Sequence, residues 1–166
     1  TSFLCLCDSF KIPLISLMDI PGMLHGSEAE KLKLPLRIMV WLQAQNLVTV
    51  PRIHIIVRKY YAMGVICMQG SLKRTDIVAA WPTVKASFVD PDIGLELAME
   101  SRIAGAQDPE AEKKRVREEW MAESAPWGAA GLYGVHDIID PRDTRKFIVQ
   151  ALDMLRGNRD KVISRH

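Results

Sequence analysis

Residues 53–70 read IHIIVRKYYAMGVICMQG. An unbroken apolar run, IHIIV (53–57), leads into two cations, two tyrosines, and then Ala62, Met63 and Gly64. A run this short and this uniformly apolar predicts a strand covered on both faces, the pattern of a parallel α/β sheet. A strand that only turns back ends in polar turn residues. Here small or flexible residues stand where the backbone comes close to something.

The same pattern continues outward. IPLISLM (12–18) is a second continuous apolar run of strand length. Between the two lies LPLRIMVWLQAQNLV (34–48), where Pro35 suits a first helical turn and apolar residues recur at helical spacing. Strand, helix and strand make a βαβ unit, so the two strands are expected as parallel neighbours or near-neighbours. DIVAAW (76–81) and KASFV (85–89) predict two further short strands with Pro82 between them. Asp92 is a candidate N-cap for a helix over IGLELAMESRI (93–103). DPEAEKKRVREEWMAE (108–123) predicts a solvated surface helix, acidic at its start. APWGAAGLYG (125–134) allows close backbone packing, and VHDIID (135–140) is strand-like. PRDTRKFIVQALDMLRG (141–157) predicts a closing amphipathic helix, with Pro141 near its start and Gly157 at its end.

Composition sets the outer limits. With 166 residues, 48% hydrophobic and 25% charged, the chain suits a single soluble α/β domain spanning 1–166. A formal charge of +2 is too small to imply nucleic acid, and the basic end RGNRDKVISRH reads as a solvated tail. Cys5, Cys7 and Cys67 cannot all pair and are expected as reduced, buried thiols in a cytoplasmic-type compartment. His25, His54, His136 and His166 show no metal-ligand spacing, so each is expected on the surface or in a loop, and no metal is expected. No apolar run reaches the roughly 18 residues needed to span a bilayer. The chain opens without Met inside the apolar stretch TSFLCLC, as a piece of something longer does.

Open α/β sheets bind ligands outside the carboxyl ends of their strands. Two such ends stand out, MDIPGMLHG (18–26) and the RKYYAMG stretch. DIPG invites comparison with the DxxG of GTPases, but GVICMQGS has neither P-loop spacing nor its lysine. DIPG instead predicts a tight turn, with Pro21 setting φ and Gly22 permitting positive φ. After Tyr61 a helix can start, and its first amides have no intrahelical partners. Small residues there let an anionic oxygen approach, as in an oxyanion hole, although such residues also serve plain packing.

CDSFKIPLISLMDIPGMLHGSEAE, TVPRIHIIVRKYYAMG, AAWPT and IIDPRDTRKFIVQAL occur in the order found in biotin-dependent acyl-CoA carboxylases. From about Cys7 to Gly157 the chain resembles the C-terminal half of their carboxyltransferase (beta) subunits, including those of propionyl-CoA carboxylases and sodium-pump decarboxylases. The resemblance implies a crotonase/ClpP-like βαβ superhelix, here a partial domain lacking its opening strands. It implies a trimer-based homo-hexamer with the active site between subunits, and biotin delivered on a carrier protein or by a biotin carboxylase subunit. Where the family usually has Gly-Gly-Ala-Tyr-Asp, this chain has Ala62, Met63, Gly64, Val65 and Ile66. The amides of Met63 and Gly64 match the pair expected to hold the ureido oxygen of biotin. Met63 can replace Gly if its φ is negative. Ala62, Val65 and Ile66, with Asp19, Pro21 and Gly22 from the other strand end, are expected around the substrate.

The resemblance thus implies CO2 transfer from carboxybiotin to the α-carbon of an acyl-CoA of propionyl or acetyl type. Two alternatives stay open, a non-catalytic subunit of such a carboxylase and the carboxyltransferase of a sodium-pump decarboxylase. A crotonase-type hydratase needs a carboxylate near the acyl α-carbon, and residues 58–70 contain none. Pro at position 64 removes a donor, whereas Ala keeps the amide and is expected to keep most of the rate.

Overall fold

The computed structural model describes residues 1–24, 26–69, 76–87, 90, 93–95, 103, 105–131 and 134–156. Strands β1 (Leu14–Ile20) and β2 (Arg52–Tyr61) pair in parallel, with Ile15 opposite Ile53 and Leu17 opposite Ile55. Between them run a short helix α2 (Ser27–Lys31) and the longer α3 (Leu34–Leu47), with Pro35 in its first turn. The expected βαβ unit is therefore present, and both apolar runs are strands. On the other side of β2, β3 (Ile77–Ala80) pairs with the first half of the strand and β4 (Lys85–Ser87) with the second. Strand β5 (Asp137–Ile138) pairs in parallel with β3, so the path across the sheet is β1-β2-β3-β5.

The continuous apolar run has the cause expected of it. Ile53, Ile55 and Ile56 alternate between the two faces, and all three are fully buried. On one face Ile56 packs with Met18, Val78 and Ala80. On the other, Ile53 and Ile55 pack with Ala79, Ile139, Ala151 and Leu155. The last two come from the closing helix α7 (Thr144–Leu155), preceded by a 3₁₀ turn at Pro141–Asp143. Each buried isoleucine is worth about 1.5–3 kcal/mol relative to exposure.

Helix α1 (Ser2–Ser9) ends with Lys11 at φ 56°, and its carbonyls are closed by bonds from Lys11 and Ile12. The Asp8 carboxylate accepts from the Thr49 amide (2.7 Å), the Thr49 hydroxyl and the Val50 amide, tying α1 to the start of β2. Helix α4 (Ala62–Gln69) follows β2 directly. Helices α5 (Pro109–Glu123), capped by Asp108 on the Ala111 amide, and α6 (Pro126–Gly131) complete the described elements. Among the described residues no helix is long and apolar enough to cross a membrane.

Some expectations are corrected. His54 is buried in the first half of β2, not on the surface, because Ser16 and Val78 flank it in the sheet and side chains of α1 and α3 share its cavity. His136 is exposed as expected, with Nδ1 accepting the Val78 amide. Cys7 is buried, but Cys5 lies on the open side of α1 and is exposed. In helix α3, Trp41 and Ala44 pack on the cluster of Leu4, Val48 and Val50, while Leu36, Met39, Val40 and Leu47 are exposed and Gln45 is the buried residue. The proposed Asp92 cap, most of the helix over 93–103, residues 88–89 of the fourth strand, His25, His166, Gly157 and the basic tail lie outside the described residues.

Candidate functional site

The site is built where β1 and β2 end. Met18 pairs with Ile56 but Ile20 pairs with Tyr60, so Val57, Arg58 and Lys59 together face Asp19. Such an irregularity leaves backbone groups off the ladder. The Asp19 carboxylate takes them up, accepting the Lys59 amide (2.9 Å) and two guanidinium bonds from Arg58 (3.1 and 2.9 Å). The Arg58 guanidinium, then the Lys59 amide, hold the Asp19 carboxyl below its usual range. Asp19 thus fixes the end of the sheet from an exposed position.

The chain then changes conformation within one residue. Ala62 has φ 51°, in the left-handed region, and opens α4. Met63 is not among the residues with positive φ, so the condition on which it can replace glycine is met. The conformational demand falls on Ala62 instead. The first amides of a helix have no intrahelical acceptor. Among the described residues, the Met63 and Gly64 amides also donate to no acceptor outside the helix. The side chains of Met63 and Ile66, one turn apart, are about half exposed (48% and 46%), and Ala62 and Val65 are half-buried.

The second strand end packs against this helix start. Gly22 has φ 128°, as expected for the DIPG turn, and Pro21 before it is exposed. A Cβ built on Gly64 meets Ile20 Cγ2 at 2.3 Å and the Gly22 carbonyl oxygen at 3.0 Å. This overturns the expectation that alanine at 64 is harmless. The Ile20 methyl can swing aside, but the Gly22 carbonyl is backbone and moves only with its turn. Cys67 Sγ, 3.3 Å from Met23 Sδ, adds a contact between the same two segments. Gly64, Gly22, Asp19 and Pro21 are therefore neighbours around one junction.

The far end of α4 is anchored by residues that carry no sequence signal of their own. Trp41 Nε1 and Gln45 Nε2 (2.8 Å), both from α3, donate to the Cys67 carbonyl. The Tyr60 hydroxyl donates to Gln69 Oε1, and burial pushes the Tyr60 phenol up to about 12. With both ends held, the α4 amides point from a fixed frame. Among the described residues no group of three or more His, Cys, Asp or Glu is placed to hold a metal ion. The arrangement can stabilise negative charge on an oxygen through two amides and the dipole of α4.

Known proteins resemble this chain in sequence and in fold. The family model "Carboxyl transferase domain" matches residues 1–166. The chain is 34% identical over 161 residues to the methylmalonyl-CoA decarboxylase subunit alpha of Propionigenium modestum, covering 96% of this chain and 31% of that protein. It is 34% identical over 158 residues to the methylmalonyl-CoA carboxyltransferase 12S subunit of Propionibacterium freudenreichii subsp. shermanii, covering 95% and 30%. The crystal structure of a transcarboxylase 12S hexamer, with methylmalonyl-coenzyme A and methylmalonic acid bound, superposes with a TM-score of 0.88 at 32% identity, covering 98% of this chain and 32% of that one. This likeness bears out the α/β, crotonase-type fold. The chain spans about a third of the length of these relatives. On these grounds the chain belongs to the carboxyl transferase domain family.

Proposed function

We propose that this chain is the biotin-side half of a carboxyltransferase, acting on an acyl-CoA of propionyl or acetyl type. The observation that carries the proposal is the pair of Met63 and Gly64 amides, without acceptors among the described residues and braced by the Gly22 turn. These donors suit a ureido oxygen, which gains negative charge as its carboxyl group departs. The chemistry carboxybiotin supplies when bound is release of CO2 and uptake of the acyl α-proton by the freed ureido nitrogen. The chain's own residues orient that oxygen and hold its charge. Met63 and Ile66 offer apolar surface beside it, Val65 and Ala62 are half-buried on the same helix, and Asp19, through Arg58 and Lys59, keeps the strand end in place.

In this reading biotin arrives on a carrier protein or with a biotin carboxylase subunit, and the acyl-CoA is completed by surfaces outside this chain. The hexameric 12S relative makes a trimer-based homo-hexamer the favoured assembly, with the reaction in the cytoplasm or a matrix-type compartment. A sodium-pump decarboxylase would use the same half-site in the same way.

The test removes one donor without adding an atom. An amide-to-ester replacement at Met63 in the complete enzyme is expected to slow carboxyl transfer by about 100-fold or more. Met63→Ala keeps the amide, and because the side chain is half exposed it is expected to keep most of the rate. Equal rates in the ester and the parent would sink the amide role.

A further inference from the structure

Beside the junction, on the β4 side of β2, lies a second concavity of about 210 Å³, lined by Arg58, Lys59, Tyr61, Lys85, Arg117 and Met121, with Asp90. The sheet register puts two of its cations side by side: Lys59 is directly opposite Lys85 on the neighbouring parallel strand. Like charges in that relation destabilise a sheet. Among the described lining residues Asp90 is the one carboxylate, and it reaches Lys59 at 3.8 Å, the outer limit of an ion pair. The wall that carries Arg117 is fastened to β4. The Ala86 amide donates to the Ser124 carbonyl (2.7 Å), and Trp120 Nε1 donates to Ser87 Oγ (3.0 Å). These bonds hold the wall that carries Arg117 beside Lys59 and Lys85.

We propose that this cleft binds a substrate-borne oxyanion group, a phosphate or a carboxylate. Its volume is below the range of about 300–1,000 Å³ usual for whole small-molecule ligands, so it suits one charged group of a larger molecule. Its place decides which molecule. Tyr61 lines the cleft and is the residue before Ala62, so the bound anion lies next to the start of α4. The proposal deepens the carboxyltransferase reading: an anionic group of the acyl-CoA sits here, beside the Met63 and Gly64 amides that hold the ureido oxygen of biotin in that reading. Lys59, Lys85 and Arg117 donate to the oxyanion, and Asp90 sets the position of Lys59.

Binding is read directly, apart from catalysis. Inorganic phosphate, and separately malonate, are titrated into the protein at low ionic strength while the lysine side-chain NMR signals are followed. Lys59 and Lys85 are expected to shift saturably, with Lys113 and Lys114 of α5 unmoved. Lys85→Gln is expected to weaken the response roughly fivefold or more, and Lys85→Arg to restore most of it. Added salt weakens both. Coenzyme A against pantetheine, and malonate against propionate, then separate the sources. A Lys85-dependent preference in the first pair assigns the cleft to phosphate, and in the second to carboxylate. Shifts spread equally over all lysines, or equal binding by the parent and Lys85→Gln, would overturn the proposal. Carboxyl transfer can fail in either case without affecting this result, so the two readings are tested apart.

Discussion

Ala62 and Gly22 pose opposite problems at one junction. Ala62 holds φ 51°, where its Cβ crowds the backbone and glycine does not. Gly22 holds φ 128°, a conformation that side chains rarely adopt, although a Cβ built there would meet nothing within 4 Å. Ala62→Gly is therefore expected to stabilise the protein by about 0.5–1 kcal/mol, the relief of strain being partly offset by a freer unfolded chain. Gly22→Ala is expected to destabilise it by roughly 1–3 kcal/mol through conformation alone. Urea unfolding of the two variants checks both signs, and a loss of stability in Ala62→Gly would refute the strain assigned to that residue. Gly64→Ala belongs to a third kind, a clash with the Gly22 carbonyl. It is expected to cost stability and to disturb the 20–24 turn, visible as amide shifts in that segment. DIPG announced the Gly22 turn in the sequence. Nothing announced that Gly64 is pressed against it, since that contact joins residues distant along the chain.

At the scale of the element, β2 carries a histidine where its pattern calls for an aliphatic residue. His54 is buried to 3% exposure, and among the described residues neither ring nitrogen has a hydrogen-bond partner. Burial, with a smaller contribution from the Arg52 charge, pushes its pKa down to about 4 from 6.5. The folded state thus binds fewer protons than the unfolded state between those values, so stability is full above about pH 6.5 and declines as pH falls towards 4. The decline amounts to roughly 3 kcal/mol. Asp19 and Asp8 act in a lower window. Hydrogen bonds from Arg58 and Lys59 lower Asp19; partial burial opposes the lowering of Asp8, but bonds from Thr49 and Val50 prevail. Both contribute stability that is lost only as pH falls below about 3.8, the ordinary Asp value. Urea midpoints of the parent and His54→Leu across pH 4 to 7 test the assignment: the slope is expected to disappear in the variant, and an unchanged slope would contradict it.

At the scale of the whole molecule, many large apolar side chains among the described residues are exposed. Phe3, Phe10, Leu17, Met39, Trp127 and Met154 are each more than 60% exposed. Strand β1 stands at the open end of the sheet path with Ile15 and Leu17 uncovered. Leu36, Met39 and Val40 are exposed together on one face of α3, and a contiguous apolar patch of this kind marks a surface meant to be covered. Trp41 of α3, by contrast, is half-buried and bonded to α4. The chain is expected to self-associate with rising concentration. The double variant Leu36→Glu and Met39→Glu on α3 is expected to lower the average mass in sedimentation while changing stability by about 0.5 kcal/mol or less. A monomer at all concentrations in the parent would count against a covered surface on α3.

The sequence by itself determined the strands, their parallel pairing and the helix start after Tyr61. These follow from short-range facts: continuous apolar runs, a proline in a first turn, and small residues after a strand. The order of its motifs also carried the family. Only the tertiary structure decided that Arg58 answers Asp19, that Gly64 leans on Gly22, that Trp41 and Gln45 fasten α4, and that Lys59 faces Lys85. Each of these joins segments at least 22 residues apart, and the spacing of residues along a chain does not record which distant segments the sheet brings together. The same reason explains His54: its burial is set by the neighbours on either side of β2, and no local pattern in IHIIV names them.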